Sequence, residues 1–202
     1  MITGPILTLL AVVLYGVLHS LLATDKAKRL AVVALGPGAA RLYRLFYNIV
    51  GGVTFLPVLA VTAAYPGMQL YAIPWPWMLL TMLGQALAVA LLLVGVRQTD
   101  PWHFLGLQQL TKKAPSRAPE LTTGGLYRFV RHPLYSAGLL FIWLTPVMTT
   151  SVLALNIGIS LYLYVGSVFE ERRLVREFGV AYVEYRKRVP RLIPCPRTRP
   201  GT

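Results

Sequence analysis

The feature that most constrains this chain is where its charged residues lie. All 20 basic and 7 acidic residues fall in three segments, 24–44, 97–133 and 170–202. The stretches 1–23, 45–96 and 134–169 contain no Asp, Glu, Lys or Arg. Because a hydrocarbon layer of about 30 Å needs roughly 20 apolar helical residues to cross it, the pattern predicts an integral membrane protein. It argues against a water-soluble globule, which carries about 25% charged residues, whereas this chain carries 13%.

The predicted fold class is all-α, with five transmembrane helices. The predicted spans are Met1–Ala23, Leu45–Tyr65, Trp75–Val96, Leu134–Val147 and Val152–Phe169. The first lacks a basic leading segment and a small-residue cleavage site, so we expect it to be retained and not removed as a signal peptide. The last two are short, so we expect a tight helical hairpin that need not span the bilayer fully.

An amphipathic C-terminal helix is predicted after the fifth span. Leu174, Phe178, Tyr182 and Tyr185 recur at helical spacing and form one apolar stripe, which is typical of a helix at a membrane surface. We expect this helix to end near Val189.

Five crossings place all three charged segments on one side of the membrane. Lys and Arg mark the cytoplasmic face, so we expect the N-terminus outside, the C-terminus inside and a site facing the cytoplasm of a multi-pass protein of the cell membrane. The net charge of +13 then faces anionic membrane lipid, and neither nucleic acid nor an obligate protein partner is expected. We expect one domain over 1–202, with a three-helix part (1–96), a cofactor-binding part (97–194) and a tail (195–202).

Metal chemistry is not expected. The single cysteine, Cys195, cannot form an intramolecular disulfide or a cysteine-based metal site. No His-x-x-x-His spacing is present, so a zinc protease is not indicated.

The first constellation that could carry chemistry surrounds His132. Pro133 suits the first position of a helix, so His132 is predicted at the cap, beside unpaired backbone N–H groups. Those donors and Arg131 would make a carboxylate site, and Tyr127 and Tyr135 offer aromatic faces. A snorkelling arginine in an interfacial aromatic belt is the alternative.

The second constellation is Glu170 and Glu171, directly after the fifth span. Adjacent carboxylates at a membrane edge need cationic partners, either Arg173 and Arg176 or a cationic ligand. Taken together, the two constellations suit S-adenosylmethionine, which carries a carboxylate, an amino group, a ribose diol and a sulfonium that can lie over an aromatic ring.

These residues also carry a family resemblance. Arg131-His132-Pro133-x-Tyr135-x-x-Gly138, then Glu170-Glu171, then Phe178-Gly179-x-x-Tyr182-x-x-Tyr185-x-x-x-Val189-Pro190 resembles the integral-membrane isoprenylcysteine carboxyl methyltransferase and phospholipid methyltransferase group. The resemblance implies S-adenosylmethionine as cofactor. It implies cofactor contacts from Tyr127, His132, Pro133, Leu134, Tyr135, Glu170 and Glu171, to which the charge argument adds Arg131.

The N-terminal half is similar to the methanethiol S-methyltransferase branch, which makes dimethyl sulfide. The similarity lies in Tyr15-Gly16-x-x-His19-Ser20, Tyr43-Arg44-x-x-Tyr47-Asn48 and Phe104-Leu105-Gly106-Leu107-x-Gln109-Leu110. It implies methyl transfer to a small thiol. Arg173 stands where an Asp is expected, so isoprenylcysteine and phospholipid remain alternative acceptors; the lack of an Arg in 164–169 counts against isoprenylcysteine.

A thiol acceptor needs a base, because a small alkyl thiol is mostly protonated at neutral pH. His103 and His19 are the predicted catalytic bases, since histidine titrates near neutrality. The His19-Ser20 motif is also similar to denitrification-associated membrane proteins and haem-binding carotene isomerases, so a haem protein using His19 with His103 or His132 is the rival. A transporter is disfavoured, because the spans lack ionisable residues.

Overall fold

The computed structural model describes residues 2–99 and 121–195, and this part of the chain is mostly helical. Its helices are α1 (Thr3–Leu22), α2 (Asp25–Leu35), α3 (Gly38–Ala64), α4 (Met78–Gln98), α5 (Pro133–Trp143), α6 (Thr150–Phe178) and α7 (Val180–Arg188). A short 3-10 helix covers Gly125–Arg128, and two short strands are β1 (Gln69–Ala72) and β2 (Val147–Thr149).

Four helices, α1, α3, α4 and α6, are long and apolar enough to cross a membrane. They correspond to the first, second, third and fifth predicted spans, and the chain fits a multi-pass membrane protein. The fourth predicted span, Leu134–Val147, is the 11-residue helix α5, which is only about 16 Å long at 1.5 Å per residue. Five crossings and their orientation remain predictions.

Helix α2 and the pair of strands were not expected from the apolar pattern. Helix α2 lies in the first charged segment, where the Thr24 hydroxyl accepts the Ala27 N–H at 3.2 Å and so caps the helix. Strand β1 pairs antiparallel with β2, with Tyr71 opposite Met148. Strand β1 lies in the uncharged connection between the second and third predicted spans. Strand β2 begins at the last residue of the fourth predicted span and continues into the connection that follows.

The described chain forms two compact units. The first contains α1, α2, α3, the strand pair and the start of α6. Helices α1 and α3 approach closely there: a Cβ on Gly51 would lie 2.7 Å from Cε1 of His19, and the Thr62 hydroxyl donates to Thr8 at 3.5 Å.

The second unit contains α4, α5, the remainder of α6, and α7. Helix α4 packs on α5, and a Cβ on Gly95 would lie 2.8 Å from Cδ2 of Leu134. Between α6 and α7, Gly179 has a φ of +56°, a left-handed conformation that suits glycine. The expectation of a single domain over 1–202 stays a prediction.

The predicted apolar stripe holds this second unit together. Tyr182, Tyr185 and Val189 form a buried cluster on which Leu174 and Phe178 pack. The stripe therefore continues across the break between α6 and α7 at Gly179. The sequence pattern indicated that it faces a membrane surface, whereas in the structure it packs against other residues of the protein. Helix α7 ends at Arg188, next to the predicted end at Val189.

Candidate active site

The N-terminus of α5 is held by the segment Val189–Leu192, which we call the C-terminal strap. The Arg131 N–H donates to the Pro190 carbonyl at 2.9 Å, and the His132 N–H donates to the Arg191 carbonyl at 3.1 Å. Pro133 occupies the first turn of α5 and has no N–H to satisfy. The strap thus fixes the backbone of the two residues that lead into α5, by hydrogen bonds from their N–H groups to its carbonyls.

Glu171, near the end of α6, is the centre of a buried charge cluster. Its Oε1 lies 2.7 Å from Nη2 of Arg131 and 3.3 Å from Nε2 of His132. Arg191 donates to both carboxylate oxygens, from Nε and Nη2, at 3.1 Å each. The Glu171 side chain is 3% exposed, and buried acids of this kind are retained only with such partners.

Arg131 ties three parts of the second unit together. Besides its bonds to Glu171 on α6, its Nη1 donates to the carbonyl of Arg186 on α7 at 3.0 Å and to the carbonyl of Val189 in the strap. Only 6% of its side chain is exposed. Its guanidinium group is therefore committed to the protein.

Glu170 is the accessible acid of the pair, with 37% of its side chain exposed. Its Oε2 accepts the Tyr135 hydroxyl at 3.0 Å and lies 3.5 Å from Nδ1 of His132. The rings of His132 and Tyr135 stack with centroids 5.3 Å apart and an interplanar angle of 9°. A half-exposed carboxylate therefore lies beside an ordered aromatic pair.

The charges of the two acids act on their neighbours' protonation. Burial disfavours the imidazolium form of His132, but hydrogen bonds to Glu170 and Glu171 outweigh it and place the pKa of His132 above its ordinary value. Burial, with the charge of Glu170, raises the pKa of Tyr127 to about 12. The Tyr127 phenol is therefore neutral near pH 7, and its backbone carbonyl accepts the Tyr185 hydroxyl.

The structure brings most of the predicted cofactor residues together. The start of α5 meets α6, with Arg131, His132 and Tyr135 on one side and Glu170 and Glu171 on the other. The two acids were expected directly after the fifth helix, but they lie inside α6, which continues to Phe178. Tyr127 lies close enough to feel the charge of Glu170. Leu134 instead points towards Gly95 of α4, so its place is in the packing of α4 against α5. The ligand roles of all these residues remain predictions.

One of the two predicted bases lies in the part of the chain that the structure describes. His19, on α1, belongs to the first unit. Its Nε2 is 2.5 Å from the Tyr47 hydroxyl, and its ring stacks on Tyr15 at 5.4 Å and on Tyr47 at 4.3 Å between centroids. His103 lies outside the described residues.

Sequence reasoning missed Arg191 and Tyr164. The arginines that bond to Glu171 are Arg131 and Arg191, where the pattern suggested Arg173 and Arg176. The Arg191 guanidinium lies over the Tyr164 ring, 5.4 Å from its centroid. The sequence offered one signal for Arg191. A basic residue stands directly after Val189-Pro190, at the end of a helix whose apolar face is buried.

Residues 103–181 match the family model described as phospholipid methyltransferase, a range that contains every predicted cofactor residue. The resemblance expected from the sequence is confirmed. No solved structure matches the chain significantly.

The curated relatives are methanethiol S-methyltransferases. The chain is 48% identical to methanethiol S-methyltransferase 2 of Bradyrhizobium diazoefficiens over 69 residues, 34% of the chain and 27% of the relative. It is 32% identical to methanethiol S-methyltransferase of Pseudomonas deceptionensis over 136 residues, 62% of the chain and 52% of the relative. The Mycobacterium tuberculosis methanethiol S-methyltransferase is 42% identical over 71 residues, 35% of the chain and 29% of the relative. The chain thus spans about half or less of the length of these relatives.

Proposed function

We propose that this chain is an S-adenosylmethionine-dependent membrane methyltransferase that S-methylates a small thiol such as methanethiol. The observation that carries the proposal is the meeting of Glu170, on α6, with the stacked His132–Tyr135 pair at the start of α5. Similarity to methanethiol S-methyltransferases supports the reaction type. It also favours a thiol over a phospholipid or isoprenylcysteine acceptor.

The residues fit the cofactor's chemistry. S-adenosylmethionine supplies a methyl group activated by a positively charged sulfur. Glu170 is partly exposed and is suited to a cationic group or a ribose hydroxyl, while the neutral Tyr127 and the His132–Tyr135 stack offer aromatic faces to positive charge. The role of Glu171 towards the cofactor is indirect, because it holds His132, Arg131 and Arg191 in place. Pro133 fixes where α5 begins.

We further propose the predicted topology, with the N-terminus outside, the C-terminus inside and the site at the cytoplasmic face of the cell membrane. The pairing of β1 with β2 supports it, because β1 lies in a connection assigned to the outer side and β2 begins at the outer end of the fourth predicted span. The Ser151 hydroxyl also donates to the Tyr65 carbonyl, and Gly4 lies against both residues. Helix α5 and the residues up to β2 would together make the fourth crossing.

For the acceptor, we propose that His19 takes the proton of the thiol, with His103 as the alternative base. Tyr15, which stacks on His19, also lines an open groove of about 220 Å³ between side chains of α1 and α3, most of them aliphatic. An apolar groove of this kind is where a small apolar acceptor would approach His19. A haem ligand role for His19 is less favoured, since its Nε2 already meets the Tyr47 hydroxyl.

The test is an acceptor screen on purified protein in detergent with methyl-labelled S-adenosylmethionine. Methanethiol should yield labelled dimethyl sulfide, and Glu170→Gln should reduce the yield. Label that appears only in phospholipid or in prenylcysteine analogues would refute the thiol acceptor. A haem absorption band in place of methyl transfer would refute the enzymatic proposal.

A further inference from the structure

Arg131, the side chain predicted to bind a carboxylate at the start of α5, is already bonded within the protein. The N–H groups of Arg131 and His132 donate to carbonyls of the C-terminal strap. The Arg131 guanidinium is divided between Glu171 and the carbonyls of Arg186 and Val189. A ligand carboxylate would have to displace these bonds to bind there.

Arg191 differs from Arg131 in its accessibility. Its side chain is 28% exposed, against 6% for Arg131. Glu171 engages its Nε and Nη2 atoms, and a guanidinium group carries five N–H donors in all. Tyr164 accepts a further side-chain hydrogen bond from Arg191. The group still has donors beyond those that Glu171 and Tyr164 use, on a side chain that reaches solvent.

The positive charge of Arg191 is less fully neutralised than that of Arg131. Glu171 supplies one negative charge to two guanidinium groups, and Arg131 is the more deeply buried of the two and also the closer, at 2.7 Å. Arg191 is held in one orientation by both oxygens of Glu171 and by the Tyr164 ring. A fixed and partly exposed guanidinium is well suited to bind a carboxylate through paired hydrogen bonds.

We infer that Arg191 binds the carboxylate at the amino-acid end of S-adenosylmethionine and selects for nucleosides that carry this group. The inference rests on the proposed function. It gives the acidic and basic parts of the cluster separate tasks, with Glu170 facing the ligand's positive groups and Arg191 its negative one. Arg173 is the rival cation, since it is exposed and its charge acts on Glu170.

The experiment compares two ligands by calorimetry in detergent, S-adenosylmethionine and its decarboxylated analogue. The unaltered protein should prefer S-adenosylmethionine. Arg191→Gln should weaken S-adenosylmethionine binding by about ten- to a hundredfold, as expected for loss of a charged hydrogen bond, and should change the analogue's affinity far less. Arg191→Lys should retain part of the preference, because it keeps the charge but loses the paired N–H donors of the guanidinium group. Arg173→Gln is the matched control and should keep the full preference.

The ratio of the two affinities separates ligand recognition from folding, because a partly unfolded sample lowers the binding-competent fraction equally for both ligands. An unchanged ratio in Arg191→Gln would overturn the inference and leave Arg191 as a partner of Glu171 alone. Loss of the preference in Arg173→Gln, but not in Arg191→Gln, would assign the carboxylate to Arg173. Failure of the unaltered protein to bind either nucleoside would overturn the proposed function itself.

Discussion

Glu171 and Arg131 form an almost solvent-free ion pair, with Arg131 Nη2 2.7 Å and Nε 2.8 Å from the same carboxylate oxygen. The pair joins α6 to the segment that precedes α5. Arg131 also bonds to the carbonyls of Arg186 and Val189. Its side chain therefore connects the segment before α5 to α6, α7 and the C-terminal strap.

We therefore expect Glu171→Gln to be strongly destabilising. Removing one partner of a buried pair leaves an uncompensated charge and costs about 3–5 kcal/mol, here with Arg191 losing its partner as well. Unfolding in mixed micelles, followed by circular dichroism, measures the free energy of unfolding. A loss below about 1 kcal/mol, the range of exposed pairs, would mean that the cluster does not hold the unit together.

Glu170→Gln should affect cofactor binding much more than stability. Its carboxylate is partly exposed, so we expect the free energy of unfolding to fall by less than about 1 kcal/mol. Affinity for S-adenosylmethionine should fall at least tenfold, because the neutral amide no longer attracts the ligand's positive groups. Calorimetry alongside the unfolding assay checks both. Unchanged affinity would remove Glu170 from the proposed binding site.

The stabilising effect of His132 should depend on pH in a definite direction. Its folded pKa lies above the ordinary value, so its contribution is fully present below the unfolded pKa of about 6.5 and is lost as pH rises through the folded pKa. The stability difference between the unaltered protein and His132→Gln should therefore be largest near pH 5.5 and shrink towards pH 9. A difference that grows with pH would contradict the assignment of partners to His132.

Much of this arrangement was readable from the sequence, and the limits are physical. Four spans follow from the absence of charge, because hydrocarbon excludes it over a fixed length. Helix α3 begins at Gly38, before the predicted Leu45, since Arg41 and Arg44 are compatible with a helix although they lie outside the apolar window. The pairing of β1 with β2 depends on a contact between distant segments, which local pattern does not encode.

The candidate site was likewise predictable only in part. The meeting of the His132 and Glu170–Glu171 segments was predicted, because both were assigned to one end of the spans. The choice of Arg191 over Arg173 and Arg176 was not, because it depends on how the strap folds back onto α5. Charge pattern identified which residue types must pair, whereas the partners were set by tertiary structure.

Tyr185→Phe tests the link between α7 and the 3-10 helix. The Tyr185 hydroxyl donates to the Tyr127 carbonyl, and its loss should lower the free energy of unfolding by about 1–3 kcal/mol, the usual cost of an unsatisfied buried acceptor. Tyr65→Phe, at an exposed position, is the control and should stay within about 0.5 kcal/mol of the unaltered protein. Equal effects of the two changes would argue against this hydrogen bond.

Two adjacent glycines on α3 test whether His19 takes part in the reaction. A Cβ on Gly51 would lie 2.7 Å from Cε1 and 3.0 Å from Nδ1 of His19, while a Cβ on Gly52 would meet nothing within 4 Å. Gly51→Ala should shift the imidazole and slow methyl transfer to methanethiol, with affinity for S-adenosylmethionine unchanged. Gly52→Ala should leave the rate unaltered. If both variants are equally active, the placement of His19 does not limit the reaction.

The C-terminal strap has a consequence for biosynthesis. Residues 189–192 cap α5 and supply Arg191, and they follow every described helix in the chain. Until they are synthesised, the cluster lacks one arginine and two capping carbonyls. A premature stop only slightly upstream of the strap would leave a chain that reaches the bilayer with an unfinished site.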